Sequence, residues 1–227
     1  MEQSQHLCRL CPRNCGVDRS RQTGFCKAGD KVKLARAALH FWEEPCISGE
    51  EGSGTVFFSG CPLQCVFCQN HQISAECYGK EISIKRLAEI FLELQNQGAN
   101  NINLVTGGHF VPQIIQALDM VRRDLKIPVV YNSSGYETVE TLRMLKGYVD
   151  IYLPDIKYFS PERSRRYSHA PDYFEVASKA VQEMFSQVGA VEFDERGVLT
   201  KGVIVRHMVM PNGVEDSMDI LTWIAEN

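Results

Sequence analysis

The stretch 55–70, TVFFSGCPLQCVFCQN, begins as a β-branched and aromatic run and then sets Cys61, Cys65 and Cys68 within eight residues. The run 55–60 reads as a strand. Gly60 permits an unusual backbone angle at its end, and Pro62 resists immediate helix formation, so the cysteines fall in a loop leaving the strand. Thiolates are the usual ligands of iron–sulfur clusters, and the C-x3-C-x2-C spacing lets one short loop wrap a cluster. A fully protein-ligated four-iron cluster uses four cysteines. Three would leave one iron open, by the logic that separates a catalytic zinc from a structural one. On spacing alone, a zinc site with His71 or Cys77 as fourth ligand is the alternative.

Outward from this strand, short apolar runs alternate with amphipathic stretches. The spacing predicts a helix over 83–98, with Leu87, Ile90, Phe91 and Leu94 on one face and Gly98 ending it. Strands are expected at 101–106, 127–132, 150–154 and 202–210. Helices are expected near 111–124, 137–146 and 171–187, with a last one to about Ala225, and a turn or hairpin at 194–197. Such alternation makes consecutive βα units and a parallel sheet. An eightfold barrel takes about 250 residues. The expected fold is therefore α/β, a partial open (β/α) barrel of about five to six parallel strands with a small cysteine-rich N-terminal extension. The extension is assigned to residues 1–50 and the core to 51–227, with 31–42 as a candidate extra strand. The edge after "VIVRHMVM" is expected to be free, and so to need covering.

The chain has 227 residues and a net charge of -4, which provides no overall basic field for nucleic acid. Arg163, Arg165 and Arg166 read as a solvated face. The start "MEQSQHLCRL" lacks the features of a signal peptide, and no apolar run reaches membrane-spanning length, so a cytoplasmic protein without a membrane anchor is expected. Nine cysteines is an odd count, and seven of them lie in two tight groups, which favours metal or redox chemistry over disulfides.

The cysteine spacing, Phe67 just before the third cysteine, and the position after the first strand of a βα series resemble the radical S-adenosylmethionine (SAM) superfamily. More narrowly, "CRLCPRNC", "HFWEEPCISGEEGSGTVFFSGC", "VVYNSSGYE", "DIYLPDIKY" and "VIVRHMVMP" resemble the subfamily similar to pyruvate formate-lyase activating enzyme, whose members activate glycyl-radical enzymes. The resemblance implies a [4Fe-4S] cluster on Cys61, Cys65 and Cys68, with SAM chelating the fourth iron. Electron transfer from the cluster would cleave SAM to a 5′-deoxyadenosyl radical that takes hydrogen from a protein glycine or a small molecule. It further implies a reductant such as flavodoxin or ferredoxin and a glycyl-radical protein as a candidate substrate. The resembling proteins usually continue into another strand, so the chain is expected to be truncated relative to them or to cover its edge through a partner. A non-catalytic iron–sulfur electron carrier and a zinc-stabilised interaction module are the competing classes.

In parallel barrels, sites form at the C-terminal ends of strands. Gly107, Gly108 and His109 follow the second strand, and in the resembling family a Gly-Gly segment here binds the SAM amino group, often with a following glutamate; His109 stands at that place. The other use of this segment is an ordinary βα turn. Asn132, Ser133 and Ser134 follow the third strand as candidate cofactor contacts or as a helix cap, with Glu137 in the first turn. Asp155 and Lys157, two apart on an extended segment, point the same way and are the candidate catalytic pair. Arg206 and His207 point oppositely, and Arg206 is the candidate carboxylate partner. Cys8, Cys11, Cys15 and Cys26 provide four ligands, hence a closed site: a second iron–sulfur cluster or zinc. Cys46 and Cys77 read as ordinary small buried residues.

Overall fold

The structure is a computed structural model that describes residues 7–227; the first six residues of the N-terminal extension lie outside the described residues. After a run of turns, the chain forms β1 (Lys33–His40), α1 (Pro45–Ser48), β2 (Ser53–Phe58), α2 (His71–Ser74), β3 (Lys80–Glu81), α3 (Ile84–Asn96) and β4 (Ile102–Val105). A 3-10 turn (Gly108–Phe110) leads into α4 (Val111–Val121), β5 (Val129–Ser133), α5 (Val139–Met144), β6 (Ile151–Pro154), α6 (Pro161–Ser168) and α7 (Tyr173–Val188). The chain closes with β7 (Glu192–Phe193), β8 (Leu199–Val203) and α8 (Val214–Glu226). Among the described residues no helix is long and apolar enough to cross a membrane.

The eight strands of the described residues join one sheet in the order β3-β1-β2-β4-β5-β6-β8-β7. The five central strands, β2, β4, β5, β6 and β8, run parallel, as a partial barrel requires, while β3, β1 and β7 pair antiparallel. Strand alternation sorts the side chains. Val56, Phe58, Ile102, Leu104, Val129, Tyr131 and Tyr152 pack outward against α3, α4, α5 and α7. Here the 3.6-residue pattern of α3 meets its core: Leu87, Ile90, Phe91 and Leu94 are buried, and Ser83 caps the helix by accepting from the Arg86 amide. On the concave side Val130, Ile151, Leu153 and Leu199 form a second core whose centre is Ile47, fully buried from the short helix α1.

The segment around α1 therefore plugs the open barrel. Asn101 Nδ2 donates to the Ile47 carbonyl at 2.7 Å and Asn100 Nδ2 to the Ser48 carbonyl at 2.7 Å, so buried asparagines beside β4 hold the plug by its backbone. Burying an unpaired amide would be costly, so these bonds also fix the register of the plug.

Two expectations need correction. The edge after the last parallel strand is not free: β7 pairs with β8 through a hairpin, and β1 with β3 covers the opposite edge. The fifth parallel strand starts at Leu199 rather than at 202, and its regular pairing ends at Val203. Beyond Val203 the chain stays extended along β6, with Ile204 N–H donating to Tyr152 O at 3.0 Å and Arg206 N–H to Pro154 O at 2.8 Å. A helix not expected from the sequence, α6, carries the three arginines, with Arg165 and Arg166 exposed and Arg163 half-buried. It is short and polar, but Ser160 accepts from Arg163 N–H and Pro161 opens the first turn.

Ile47→Ala would remove the centre of the concave core without touching an outer helix. It is expected to cost about 2–4 kcal/mol of unfolding free energy in denaturant titration. A loss below about 1 kcal/mol would mean the plug is not an integral part of the core.

Candidate functional site

The cysteine loop leaves the C-terminal end of β2. Cys61 and Cys65 are buried and Cys68 is half-buried. Each sulfur has a neighbouring donor: Leu63 N–H at 3.4 Å from Cys61 Sγ, Ser168 Oγ at 2.9 Å from Cys65 Sγ, and Ser74 Oγ at 3.3 Å from Cys68 Sγ. Burial pushes the Cys61 thiol up to about 12, and the negative charges that Cys65 and Cys68 would carry push the same way. The three thiols thus share one neighbourhood. Burial also raises Cys65, against the pull of the Lys157 charge. Leu63, Tyr136, Tyr158, Tyr173 and Ala170 form the apolar wall behind the loop. Phe67 joins it, with its ring centroid 6.3 Å from that of Tyr158 and 6.5 Å from that of Tyr167.

The N-terminal cysteines converge similarly. Burial pushes Cys11 up to about 12, with Cys26, Cys8 and Cys15 adding repulsion. A side chain at Gly24 would meet Cys15 Sγ at 3.0 Å and Cys26 Sγ at 3.7 Å. Among the described residues no three His, Cys, Asp or Glu side chains close into a ready-made site for one metal ion. Both sets have the donor chemistry of a cluster, in which each thiolate binds a separate iron, and burial favours the neutral thiol at Cys11, Cys26, Cys61 and Cys65.

The two cysteine segments are docked together. Arg13 Nε donates to Pro62 O at 2.7 Å and Arg13 Nη2 to Ser168 O at 2.8 Å, with a third bond to His169 O. The Arg13 guanidinium also stacks 4.1 Å from the Phe25 ring centroid, and Gln64 Nε2 donates to Phe25 O at 2.5 Å. Gly60 has φ +89°, and a Cβ there would drive into the Cys26 carbonyl oxygen.

Across the concave face a polar array occupies the strand ends. Lys157 Nζ pairs with Asp155 Oδ2. Asp155 Oδ1 lies 3.0 Å from Arg206 Nε, as an ion pair without hydrogen-bond alignment. Arg206 Nη2 donates to Asn132 Oδ1 at 2.6 Å and Nη1 to Glu43 Oε1 at 3.1 Å, with Glu44 Oε1 at 3.6 Å. Glu43 Oε2 accepts from Asn103 Nδ2 at 2.9 Å and Asn132 Nδ2 at 3.1 Å. Burial raises the Glu43 carboxyl, Arg206 opposes this, and Glu44 adds to it. Lys157 is raised: desolvation pulls it down, but the Asp155 and Cys65 charges outweigh that.

Of the residues singled out in sequence, Asn132, Asp155, Lys157 and Arg206 are thus brought together, with Lys157 linking them to Cys65. Ser134 is buried close by, its hydroxyl without a partner. Gly107 and Gly108 give their vacant space to protein: a Cβ at Gly107 would meet Ile114 at 2.7 Å, and one at Gly108 would meet the Tyr131 hydroxyl at 3.1 Å. His109 sits beneath the cysteine loop, its Nε2 2.9 Å from Ser59 O, and burial lowers it to about 4. His207 points to the other side, onto Ile156 O and Ser217 Oγ. Sequence reading missed Glu43 and Glu44, which were visible as an acidic pair before Pro45. It also took Glu137 only as a first-turn residue. That side chain is buried beside Gly108, accepting from Ser133 Oγ at 3.0 Å.

Residues 55–223 match the family model of the radical SAM superfamily, and the chain belongs to that superfamily. It is also 32% identical over 229 residues to an uncharacterized protein of Methanocaldococcus jannaschii, an alignment covering 97% of this chain and 62% of that protein. The chain therefore spans less than two thirds of the length of this relative. Membership implies an iron–sulfur enzyme that binds a [4Fe-4S] cluster and SAM.

Burial raises Glu137 to about 7, against about 4.5 for an unburied glutamate. Between these values the folded state holds the proton and the unfolded state has lost it, so Glu137 costs stability increasingly as pH rises from 4.5 to 7. His109, lowered by burial to about 4, works the other way over 4 to 6.5. The two are separated by comparing wild type with Glu137→Gln. The variant should gain stability relative to wild type across that rise, and a constant difference in denaturant midpoints from pH 4.5 to 7.5 would show that Glu137 titrates normally.

Proposed function

We propose that this radical SAM protein is an oxidoreductase of the pyruvate formate-lyase activating type, holding its [4Fe-4S] cluster on Cys61, Cys65 and Cys68. The observation that carries the reading is the meeting of three cysteines, on the loop after the first parallel strand, with the Asp155–Lys157–Arg206 array at the ends of later strands. When bound, the cluster and SAM supply the electron transfer and the 5′-deoxyadenosyl radical that removes hydrogen from a protein glycine or a small molecule. The chain supplies position and exclusion of water. Lys157, beside Cys65, offsets thiolate charge, while the Ser168 and Ser74 hydroxyls and the Leu63 amide orient the sulfurs. Phe67, Tyr158 and Tyr173 keep water from that side of the loop.

Asp155, Asn132, Ser134 and the Gly107-Gly108 backbone are the proposed SAM contacts. His109 is assigned to bracing the loop from beneath rather than to touching the cofactor, since its ring nitrogen is bonded to the Ser59 carbonyl. Arg206 is already held by Glu43, Glu44 and Asp155, so it would receive a ligand carboxylate only by exchanging one of them. The N-terminal Cys8, Cys11, Cys15 and Cys26 are assigned a closed metal site, an iron–sulfur cluster or zinc, that acts as relay or brace. A cytoplasmic reductant of the flavodoxin or ferredoxin kind completes the scheme.

Anaerobic reconstitution with iron and sulfide, followed by reductant and SAM, tests this reading. Wild type should release 5′-deoxyadenosine. Cys65→Ala should release none while keeping its circular-dichroism spectrum, and undiminished release by that variant would refute the assignment.

The metal count separates the N-terminal alternatives. A second cluster requires about eight irons per chain, and a structural zinc about four irons with one zinc. In either case Cys11→Ala should keep the SAM-induced change in the electron paramagnetic resonance signal. Its loss in a folded, cluster-loaded variant would mean that the catalytic role had been given to the wrong cysteines.

A further inference from the structure

The concave array has more acceptors than donors. Three carboxylates, Glu43, Glu44 and Asp155, meet two cations, Arg206 and Lys157, leaving one negative charge in excess when Glu43 is ionised. The donors are committed: both Arg206 Nη atoms, Asn103 Nδ2, Asn132 Nδ2 and Lys157 Nζ face acceptors of the chain, and Arg206 Nε, though not aligned for a hydrogen bond, is held 3.0 Å from Asp155 Oδ1. Two acceptors are not. Glu44 Oε2 and Asn103 Oδ1 are buried without a partner. Asn103 is fully buried, and its other amide atom is bonded to Glu43, so the free oxygen lies at the same cluster. A lone buried amide oxygen loses its water and gains nothing in exchange, at a cost of about 1–3 kcal/mol. A cleft of about 730 Å3, lined in part by Phe41, Trp42, Glu50 and Glu51, opens onto Glu43.

We infer that the acceptor cluster of Glu43, Glu44 and Asn103, which meets this cleft at Glu43, is the subsite that recognises an ammonium group of the substrate. The inference rests on the proposed function, because it names the substrate class of that same site. An ammonium supplies both missing quantities, a positive charge against the excess carboxylate and N–H donors for Glu44 Oε2 and Asn103 Oδ1. A carboxylate group would add charge of the wrong sign and bring no donor. A neutral hydroxyl would satisfy one acceptor and leave the charge unanswered. A free amine and a lysine side chain of a peptide both carry this group, and the chemistry of the cluster is common to both.

The test uses the anaerobically reconstituted holoprotein with SAM, probed by n-butylammonium, n-butanol and butyrate in ligand-observed saturation-transfer spectroscopy. Butylammonium should bind, butanol more weakly and butyrate not at all. Glu44→Gln should weaken butylammonium at least about tenfold, the loss of one charge-assisted bond. Glu44→Lys, which places a cation there from the chain itself, should abolish butylammonium binding. Competition by acetyl-lysine-methylamide assigns the cation to a peptide side chain, and competition by free amines alone assigns it to a small substrate. Equal binding of butanol, preference for butyrate, or unchanged butylammonium affinity in both Glu44 variants overturns the inference. The SAM-induced resonance change is read on the same samples. Its presence without ammonium preference sinks the inference alone, and its absence removes the proposed function and the inference with it.

Discussion

The contact between Gly60 and the Cys26 carbonyl is the constraint on which the site depends. Gly60 takes φ +89°, a conformation that side-chain-bearing residues rarely adopt, and the space beside its α-carbon is filled by the backbone of the N-terminal segment. The cysteine loop can therefore turn off β2 only with residues 24–28 seated against it. His109 presses on the same point from beneath, through the Ser59 carbonyl, and Arg19 holds the His109 carbonyl in turn. Conformational freedom that a short loop would otherwise keep is removed from three sides. The resulting order is what three thiolates on one cluster require, since a loosely held ligand set would lose at binding the entropy that this packing has already removed.

Electrostatics on the concave face is settled by competition rather than by any one pair. Bringing three carboxylates together out of bulk water is unfavourable. Arg206 reverses this for the group as a whole because its guanidinium faces four partners at once from a fixed plane. Glu43 shows the limit of that compensation, since its carboxyl remains raised despite the arginine. Lys157 lies at the other end, where two negative neighbours outweigh its desolvation. The array is thus anchored at the lysine beside Cys65 and least satisfied at Glu44 and Asn103, which is where a ligand has most to add.

The parallel strands and their helices were legible because periodicity is local. Leu87, Ile90, Phe91 and Leu94 repeat within two turns and find one core. Cys61, Cys65 and Cys68 were legible for the same reason, as were Asp155 and Lys157, which alternation alone puts on one side. The rest of the array was not legible. Glu43 reaches Asn103 across 60 positions and Arg206 across 163, and nothing in the run HFWEEP reports those distances. The glycines after β4 were legible as a stretch without side chains, but not what fills the space beside their α-carbons, which is Ile114 and the Tyr131 hydroxyl. Helix α6 escaped because its stability comes from its ends and its docking, not from an apolar face.

Those ends also explain how the N-terminal segment reaches the first cysteine set. The last carbonyls of a helix lack intrahelical donors and carry the negative end of its dipole. In α6 the Ser168 carbonyl and that of His169 just beyond it receive the Arg13 guanidinium, a cation from the stretch between Cys11 and Cys15. The Ser168 hydroxyl, on the same residue, donates to Cys65 Sγ and stands 2.7 Å from the Tyr158 hydroxyl. A change in the fold around Cys11 and Cys15 would therefore move Arg13, loosen the end of α6, and withdraw a donor from the sulfur of the second cysteine. The two cysteine segments are joined by the Arg13 guanidinium and the Gln64 amide, each donating to backbone carbonyls of the other segment or of α6. The conformation of the N-terminal cysteine segment is therefore coupled to the sulfur of Cys65 through this path.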